Sequence, residues 1–370
     1  MSSNVNIHDL LRLALVPGIG SNRLRNLVSH FQTPHNALHA SAKDLSRVEG
    51  IDKKLASFIA HHTTDDHFID DQLSRINKVN GRIVTFWDEH YPELLKKIYD
   101  PPALLFVRGS IQREDRFAIA IVGTRQPTPY GKLQTERFAH DLCEKGITIV
   151  SGLARGIDTA AHTSALKYGG RTIAVIGSSI DHIYPAENKK LADQIEETGN
   201  GAVVSEFFMD TKPDPGNFPR RNRIISGMSL GTLIVESDEG GGAMITGTTT
   251  IDQNRELFCL PGNIGEKKSS GTNKLIKRGE AKLVQSVDDI LDELETFLQP
   301  ILHRAKKADV IPSLTIFEQK IFDILTDLPM HIDVISEKTG FSPSDTLVTL
   351  LGLEFKSLIN QQPGKYFVRR

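Results

Sequence analysis

The chain has 370 residues, enough for about two or three domains, and its 39% hydrophobic and 24% charged residues are ordinary for a globular protein. A formal net charge of −2 gives no general attraction to nucleic acid or to an anionic membrane, so any such attraction must come from a local basic patch. The two cysteines, Cys143 and Cys259, lie in apolar runs, which excludes a disulfide framework or a zinc site and indicates a reducing, cytoplasmic location. Because the first residues lack a basic flank and no apolar stretch approaches ~18 residues, we expect neither a signal peptide nor a membrane span.

Residues 1–80 are predicted to form a helical domain with a weak internal repeat. The segment "LVPGIGSNRLRNLVSHF" (15–31) is echoed by "RVEGIDKKLASFIAHH" (47–62), and each copy has the pattern of helix, glycine turn and helix. The pair resembles the helix-hairpin-helix motif, in which the turn amides can hold a DNA phosphate. Asp52 replaces Gly20 in the second copy and would repel a phosphate, which favours a structural or protein-contact role over DNA contact.

In residues 81–299, short apolar runs alternate with helical stretches. The apolar runs predict strands at 118–122, 147–150, 172–176, 202–205, 232–235 and 257–260. The stretches between them predict helices at 133–144, 157–167, 188–197 and 243–254. This alternation predicts an α/β domain, a doubly wound parallel sheet with helices on both faces. The segment "ALLFVRG" (103–109) is predicted to add an edge strand.

The last part of the chain is predicted to be a linker at 300–312 followed by a winged helix at 313–370. Three helical patterns, at about 315–327, 331–339 and 344–358, precede a hairpin at 358–368. In a winged helix that reads DNA, the third helix carries basic or amide side chains toward the bases. Here that helix offers Lys356 against Asp345 and Glu354, so a protein contact is favoured over major-groove reading.

The segment "FAIAIVGTRQPTPYGK" (117–132) begins like a nucleotide-binding domain and then departs from both common motifs. A P-loop needs four residues between its first glycine and Gly-Lys, and a dinucleotide site needs two glycines after Gly123. Neither spacing is present. Arg125 instead offers a forked donor suited to phosphate at a helix N-terminus, where free amides also favour an anion. The alternative is that Arg125 pairs with a carboxylate and locks the turn.

The next strand ends in "SGLARGIDTAAH" (151–162), where Gly152 makes a turn and Arg155 stands at a helix start. Ser151, Asp158 and His162 could suggest a hydrolase. Their spacing does not support a triad, because Asp158 and His162 are four residues apart on one helix and Ser151 lies outside it. We therefore expect an Asp–His pair that stabilises the helix behind an anion-binding turn.

Two further segments combine positive charge with an aromatic side chain. In "IGSSIDHIYPAENKK" (176–190), Tyr184 is a candidate for stacking on a base, and Lys189 and Lys190 supply charge. In "GNFPRRNRIISGMS" (216–229), Phe218 precedes a cluster formed by Arg220, Arg221, Asn222 and Arg223. A basic cluster beside an aromatic residue suits a single strand, whose bases stack and whose phosphates need neutralising. The alternative is a solvated charged face.

Taken in order, "IVGTRQPTPYG", "VSGLARGIDTAAH", "GGRTIAVIG", "IYPAEN", "NFPRRNRIISG" and "LPGNIGEKKSSGTNKLIKRGEAKLV" closely resemble the DNA-processing protein A (DprA/Smf) family over residues 80–290. The resemblance implies an extended Rossmann-like domain that binds single-stranded DNA without catalysis, cofactor or metal. It also implies loading of the RecA recombinase onto incoming strands in natural transformation. Carried over position by position, it assigns DNA binding to Gly123, Arg125, Gly152, Arg221, Asn222 and Arg223.

The chain also departs from the family pattern, and the resemblance implies a homodimer. Many relatives have a basic residue where this chain has Ala186, and the segment 239–247 is more acidic and richer in glycine than usual. Relatives dimerise through the part of the domain that corresponds to "GTNKLIKRGEAKLV" (271–284). Leu275 and Ile276 are therefore the predicted dimer contacts.

Two other functions remain open from the sequence. Related Rossmann-like families cleave the N-glycosidic bonds of nucleotides, and their Pro-Gly-Gly-x-Gly-Thr loop faintly resembles residues 239–242. Glu236 and Glu239 are the candidate catalytic carboxylates, although the proline is absent. The other function, a sequence-specific transcription regulator, rests on the winged helix alone.

Overall fold

The structure, a computed structural model, describes residues 5–62, 66–298, 314–326, 328–356 and 358–369. The chain divides into two compact units, Met1–Leu302 and His303–Arg370. The predicted linker at 300–312 lies outside the described residues, and the domain boundaries drawn from the sequence stay predictions. None of the helices formed by the described residues has both the length and the apolar character needed to cross a bilayer.

The N-terminal part is helical, as predicted, and its two glycine turns have the same conformation. Its helices are Ile7–Leu15, Ser21–Phe31, Pro34–Leu38, Ala42–Leu45, Lys53–His61 and Asp66–Lys78. Gly18 and Gly50 have φ angles of 90° and 81°, which only glycine adopts without strain. After the second turn, Asp52 caps the helix by accepting a hydrogen bond from Leu55 N at 2.7 Å. The negative charge that distinguishes the second copy therefore stabilises its own helix.

A nine-stranded sheet forms the centre of the first unit. Its strands are β1 Gly81–Thr85, β2 Leu104–Gly109, β3 Ala118–Val122, β4 Thr148–Ser151, β5 Thr172–Val175, β6 Gly201–Ser205, β7 Gly231–Ile234, β8 Glu256–Cys259 and β9 Lys282–Leu283. The order is β1-β2-β6-β5-β4-β3-β7-β8-β9, and every pairing from β6 to β9 is parallel. The prediction of an edge strand at 103–109 was wrong in its position, because β2 lies between β6 and β1 and is antiparallel to both.

Helices cover both faces of this sheet, which confirms the doubly wound fold. They are Glu93–Lys96, Pro129–Glu144, Ile157–Lys167, Lys189–Glu197, Asn217–Gly227, Gly242–Asp252, Ser270–Lys277 and Val287–Glu293. Successive residues of β3 point into different cores: Ala120 packs in the cluster that contains Ile224, and Ile121 in the one that contains Phe138. The helix predicted at 133–144 begins earlier, at Pro129, because Thr128 caps it and a proline is well tolerated in the first turn.

The strand order reverses between β3 and β7. From β3 the chain proceeds through β4 and β5 to β6 on one side, and from β7 it proceeds through β8 to β9 on the other. In an open parallel sheet, a crevice forms outside the carboxyl ends of the two strands at such a point, and ligands bind there. The sequence segments singled out for phosphate binding follow β3, β4, β5 and β6, so they lie at this edge of the sheet.

The second unit is a winged helix, as predicted. It contains the helices Ile316–Ile324, Ile332–Thr339 and Pro343–Phe355 and the strands β10 Met330–His331, β11 Ile359–Gln362 and β12 Tyr366–Arg369. The three strands form one sheet in the order β10-β12-β11, and a separate core around Ile321, Leu350 and Phe367 holds it against the helices.

Candidate nucleic-acid interface

A cleft of about 620 Å³ lies at the carboxyl edge of the sheet, between the ends of β3 and β7. We call it the central cleft. The β3 side contributes the turn from Val122 to Arg125, and the β7 side contributes Ser237 and Asp238. Two helices, Asn217–Gly227 and Gly242–Asp252, begin at the cleft, and neither has a side-chain cap on its first amides. The positive ends of two helix dipoles therefore lie at the cleft, where they favour an anionic ligand.

The turn after β3 is held by a buried glutamate. Glu236 accepts hydrogen bonds from Thr128 N at 2.8 Å and from the Thr128 hydroxyl, and its own carbonyl accepts from Thr124 N at 2.8 Å. Gly123 is needed here because a Cβ would come within 2.6 Å of Ile157 Cγ1 and 2.9 Å of Glu236 O. This packing fixes the backbone that carries Arg125.

The side chain of Arg125 is exposed and makes no ion pair with any carboxylate of the described residues. Its guanidinium lies over the ring of Phe218, 5.6 Å from the centroid, and the Tyr184 ring lies 5.8 Å from that of Phe218. The alternative in which Arg125 locks the turn through a carboxylate is therefore not observed. We call Arg125, Phe218 and Tyr184 the rim of the cleft: one cation with two aromatic rings at its side.

The floor of the cleft is formed by Arg221 and Asp158, which are buried. Arg221 is 5% exposed and donates to the carbonyl of Val175, and burial lowers the pKa of its guanidinium to about 10. Asp158 accepts from Gly152 N at 3.0 Å and from Ala154 N at 3.2 Å, and burial raises its pKa while Arg221 opposes that rise. The backbone amides of this turn were predicted to bind an external anion. In the structure they already donate to the carboxylate of Asp158.

Gly152 allows these two groups to approach the backbone. A Cβ on this residue would lie 2.0 Å from Arg221 Nη1 and 2.7 Å from Asp158 Oδ2. Gly152 was predicted to contact DNA, and that contact stays a prediction. In the structure, the buried guanidinium of Arg221 lies beside Gly152.

The predicted pairing of Asp158 with His162 was wrong. The hydroxyl of Thr172 donates to Ile149 O at 2.9 Å, so His162 Nδ1, 2.7 Å from that hydroxyl, must be the donor to it. Burial, with a smaller contribution from Arg221, lowers the pKa of His162 to about 3, so the imidazole is neutral. Ser151 donates to Ile121 O at 2.6 Å. The side chains that might have suggested a triad are bonded to other groups, as the spacing argument expected.

Some of the other predicted basic residues form ion pairs with glutamates, and others do not. Arg155 forms an ion pair with Glu187, with 3.0 Å between Arg155 Nη2 and Glu187 Oε2. Arg223 pairs with Glu206 and donates to Asp100 O at 2.8 Å.

Lys189 and Lys190 are exposed at the start of the helix Lys189–Glu197. Arg220 is exposed, with its guanidinium 5.4 Å from the centroid of the Phe207 ring, and Asn222 lines the central cleft. These lysines, Arg220 and Asn222 thus remain available to a ligand.

The model of one protein family, described as DNA recombination-mediator protein A, matches residues 82–295, more than half of the chain. The chain belongs to this family. Residues 10–59 match the model of a SAM-like helix-hairpin-helix tandem, and residues 305–365 match that of the DprA winged helix domain. The family and the succession of folds predicted from the sequence are therefore confirmed.

Relatives of known sequence or structure agree with this membership. The Smf protein of Synechocystis is 32% identical, and the alignment covers 96% of each chain. The crystal structure of DNA processing protein A from Streptococcus pneumoniae has a TM-score of 0.66 at 32% identity, covering 79% of this chain and 98% of that one. The Helicobacter pylori family protein, described as having a unique single-stranded DNA binding mode, has a TM-score of 0.52 at 33% identity, covering 58% and 96% of the two chains.

The two predicted dimer contacts have different environments. Leu275 is 6% exposed and belongs to the same core cluster as Val122 and Cys259, so its side chain is not on the surface of this chain. Ile276 is only partly buried against that cluster. Ile276 is therefore the residue on which the dimer prediction now rests.

Within the described residues, one group could offer three ligands to a metal ion: His140, Asp141 and Glu144, on the surface of the helix Pro129–Glu144. His140 Nδ1 lies 2.8 Å from Asp141 Oδ1, and His140 Nε2 lies 3.4 Å from Glu144 Oε1. The contacts of the His140 ring with these two carboxylates account for this arrangement without a metal.

Sequence reasoning missed two side chains that hold the site together. Asn188 is buried and donates to Leu153 O and to the Thr159 hydroxyl, both at 2.8 Å, so it fixes the loop after β4. Glu236 was considered only as a catalytic carboxylate, but it holds the turn after β3. No local signal pointed to the role of Asn188, because its amide bonds to the loop after β4 and does not cap the helix Lys189–Glu197. Nothing in the sequence indicated the partner of Glu236, because Thr128 lies more than a hundred residues away.

Proposed function

We propose that the chain binds single-stranded DNA in the central cleft and catalyses no reaction on it. The observation that carries this proposal is the rim: Arg125 is exposed and unpaired by carboxylates among the described residues, and it lies on the ring of Phe218. Phosphates need a cation that is not already neutralised, and unstacked bases need an aromatic face. The residues proposed to contact the strand are Gly123, Arg125, Gly152, Arg155, Lys189, Lys190, Arg220, Arg221, Asn222 and Arg223.

The proposal extends to the biological role. A protein that coats a single strand is placed to present it to a recombinase, and we propose that this chain loads RecA onto incoming DNA during natural transformation. Membership of the recombination-mediator family supports this role. The DNA binding of the Helicobacter pylori relative supports the first step of it. We place this activity in the cytoplasm, where RecA acts on incoming strands.

Binding measured against salt tests the first step. Fluorescence anisotropy should show tighter binding to a single strand than to a duplex of equal length. The slope of log affinity against log salt should have a magnitude of about 0.7 for each phosphate neutralised on a single strand. Equal affinity for both forms, or no dependence on salt, would exclude the proposed mode. RecA loading is then tested by RecA filament formation on a strand covered with single-strand binding protein, with and without this chain.

The contacts of the two candidate carboxylates disfavour the N-glycoside hydrolase. Glu236 is buried and bonded to Thr128. Glu239 forms an ion pair with Lys274, and the hydrogen bond from this lysine holds the pKa of Glu239 below its usual value. Neither is a free acid or base in the cleft. Incubation with AMP should release no adenine; release at a rate above that of a Glu236→Gln variant would contradict the proposal.

We also propose that the protein assembles as a homodimer through the segment 271–284. The helix Ser270–Lys277 carries Ile276 and is followed in the chain by the two-residue edge strand β9, whose outer side has no neighbour among the described strands. Light scattering should give the mass of a dimer for the native chain and of a monomer for Ile276→Arg. An unchanged mass for this variant would remove the segment from consideration.

A further inference from the structure

A second cleft, of about 640 Å³, lies between the helices Pro129–Glu144 and Ile157–Lys167. Lys132 and Lys167 line it, are exposed, and pair with no carboxylate among the described residues. Tyr168 lines it as well and is 46% exposed, with Lys167 Nζ 5.0 Å from its ring centroid. The facing surface of the second helix consists of small side chains, such as Ala160 and Thr163, which leave room for a ligand.

This second cleft is linked to the central cleft through residues that line a hollow between them. A small hollow of about 20 Å³ separates the two. Arg125 and Phe218 line both this hollow and the central cleft, and Arg155 lines both the hollow and the second cleft. A chain molecule that leaves the rim can therefore reach the second cleft by passing over Ala154, which lines the central cleft and the hollow, and Arg155, which lines the hollow and the second cleft.

We propose that the second cleft binds the nucleotides that continue from the central cleft, with Lys132 and Lys167 on phosphates and Tyr168 against a base. This inference rests on the proposed function, because the occupant is the same single strand. The chemistry repeats that of the rim: unpaired cations beside an exposed aromatic ring. A neutral small molecule would not need two unpaired lysines at the two sides of the cleft.

The Arg155–Glu187 ion pair stands at the entrance to the second cleft. Both side chains are more than half exposed, and exposed ion pairs contribute little stability, so a phosphate can replace Glu187 at small cost. The arginine holds the pKa of Glu187 below its usual value, so this carboxylate is charged at neutral pH and competes with the strand. Removing that charge should strengthen binding, a gain that misfolding cannot produce.

The test compares oligodeoxythymidylates of about 4 and about 16 nucleotides, the range of site sizes known for single-strand binding domains. In the full chain, the double substitution Lys132→Ala, Lys167→Ala should weaken binding of the long strand about tenfold and reduce its salt slope by about 1.4. Binding of the short strand, which the central cleft holds alone, should change less than about twofold. Glu187→Gln should raise affinity for the long strand about threefold. The matched control is Lys145→Ala, an exposed lysine at the other end of the first helix.

The outcomes separate this inference from the proposed function. If the native chain binds neither strand, the proposed function fails and the inference with it. If the native chain binds both strands but the lysine variant behaves like Lys145→Ala on the long one, the function stands and the second cleft is not part of the path. Equal losses on short and long strands would also overturn the inference, because they would indicate a general charge effect. Unchanged or weaker binding by Glu187→Gln would contradict the role of the ion pair.

Discussion

The central cleft and the third helix of the winged helix both occupy positions where their folds commonly bind ligands, but their side chains differ in kind. The cleft combines an exposed guanidinium on an aromatic ring with a buried arginine and aspartate beneath it. The helix Pro343–Phe355 exposes Leu347, Val348 and Leu351, and Val348 is 70% exposed. The lysine that follows, Lys356, contacts Glu318 with 2.7 Å between Nζ and Oε2.

This difference shows that a fold supplies a place for a ligand and the side chains decide what the ligand is. Apolar residues on a third helix cannot neutralise phosphates. The cleft, in contrast, has the guanidinium of Arg125, which pairs with no carboxylate of the described residues. The cleft also has a layered construction, with a buried floor that fixes the backbone and a rim that is free to bind. Substitutions in the floor, the rim and the winged helix should therefore have different consequences.

The largest effect is expected in the floor. Arg221→Ala should lower the free energy of unfolding by about 3 kcal/mol, because it leaves the buried carboxylate of Asp158 without its nearby positive charge. Chemical denaturation measures this loss. The neighbouring Arg220→Ala is the control, since its side chain is exposed and its removal should change stability by less than about 0.5 kcal/mol. Equal stability of the two variants would mean that the floor is not a structural element.

A second test concerns His162, which is buried behind the floor, and it uses pH. The folded state holds His162 neutral with a pKa of about 3, against 6.5 for the free side chain, so only the unfolded state takes up this proton between those values. Stability should therefore fall as the pH drops below 6.5, by about 1.4 kcal/mol per pH unit and about 2 kcal/mol by pH 5 from this residue. Asp158, whose pKa is raised, acts in the opposite sense. The contribution of His162 is isolated by comparing pH slopes with His162→Asn, which should be less acid-sensitive; parallel slopes would refute it.

On the rim, Arg125→Ala should weaken binding of every single-strand sequence about tenfold, or about 1.4 kcal/mol, and flatten the salt slope by about 0.7. Stability should stay near that of the native chain because the side chain is exposed. The matched control is Arg116→Ala, which removes an arginine whose guanidinium lies 4.6 Å from the Phe117 ring centroid at the opposite end of β3. A variant at 125 that binds normally, or one that unfolds, would mean that the turn has another role.

The sequence was sufficient for the parts of the fold that local patterns determine. Fully buried strands such as β3 and β7 and the helix Ile157–Lys167 were predicted close to their observed bounds. The strand β1 was missed because "GRIVT" contains a short apolar pair and is half polar. The central position of β2 could not be predicted either, because it depends on pairing with β1 and β6, which are distant in sequence.

For the site, the sequence indicated which residues carry charge but not which charges are free. Arg125, Arg155, Arg221 and Arg223 look alike in the sequence, and each follows a turn or opens a helix. In the structure, Arg125 is unpaired by carboxylates of the described residues, Arg155 and Arg223 pair with glutamates, and Arg221 is buried. These differences arise from contacts across 30 or more positions for Arg155 and Arg221, which no local pattern encodes.

The smallest effect is expected from the winged helix. Deleting residues 305–370 should change single-strand affinity by less than about threefold, because the exposed face of the third helix is apolar and Lys356 is engaged with Glu318. The first compact unit ends at Leu302, so the deletion leaves its core intact, which an unchanged melting temperature would verify. Affinity is then compared with the full chain across a salt series. A loss greater than about tenfold, roughly 1.4 kcal/mol, would make the winged helix a DNA-binding element and remove the contrast between the two regions.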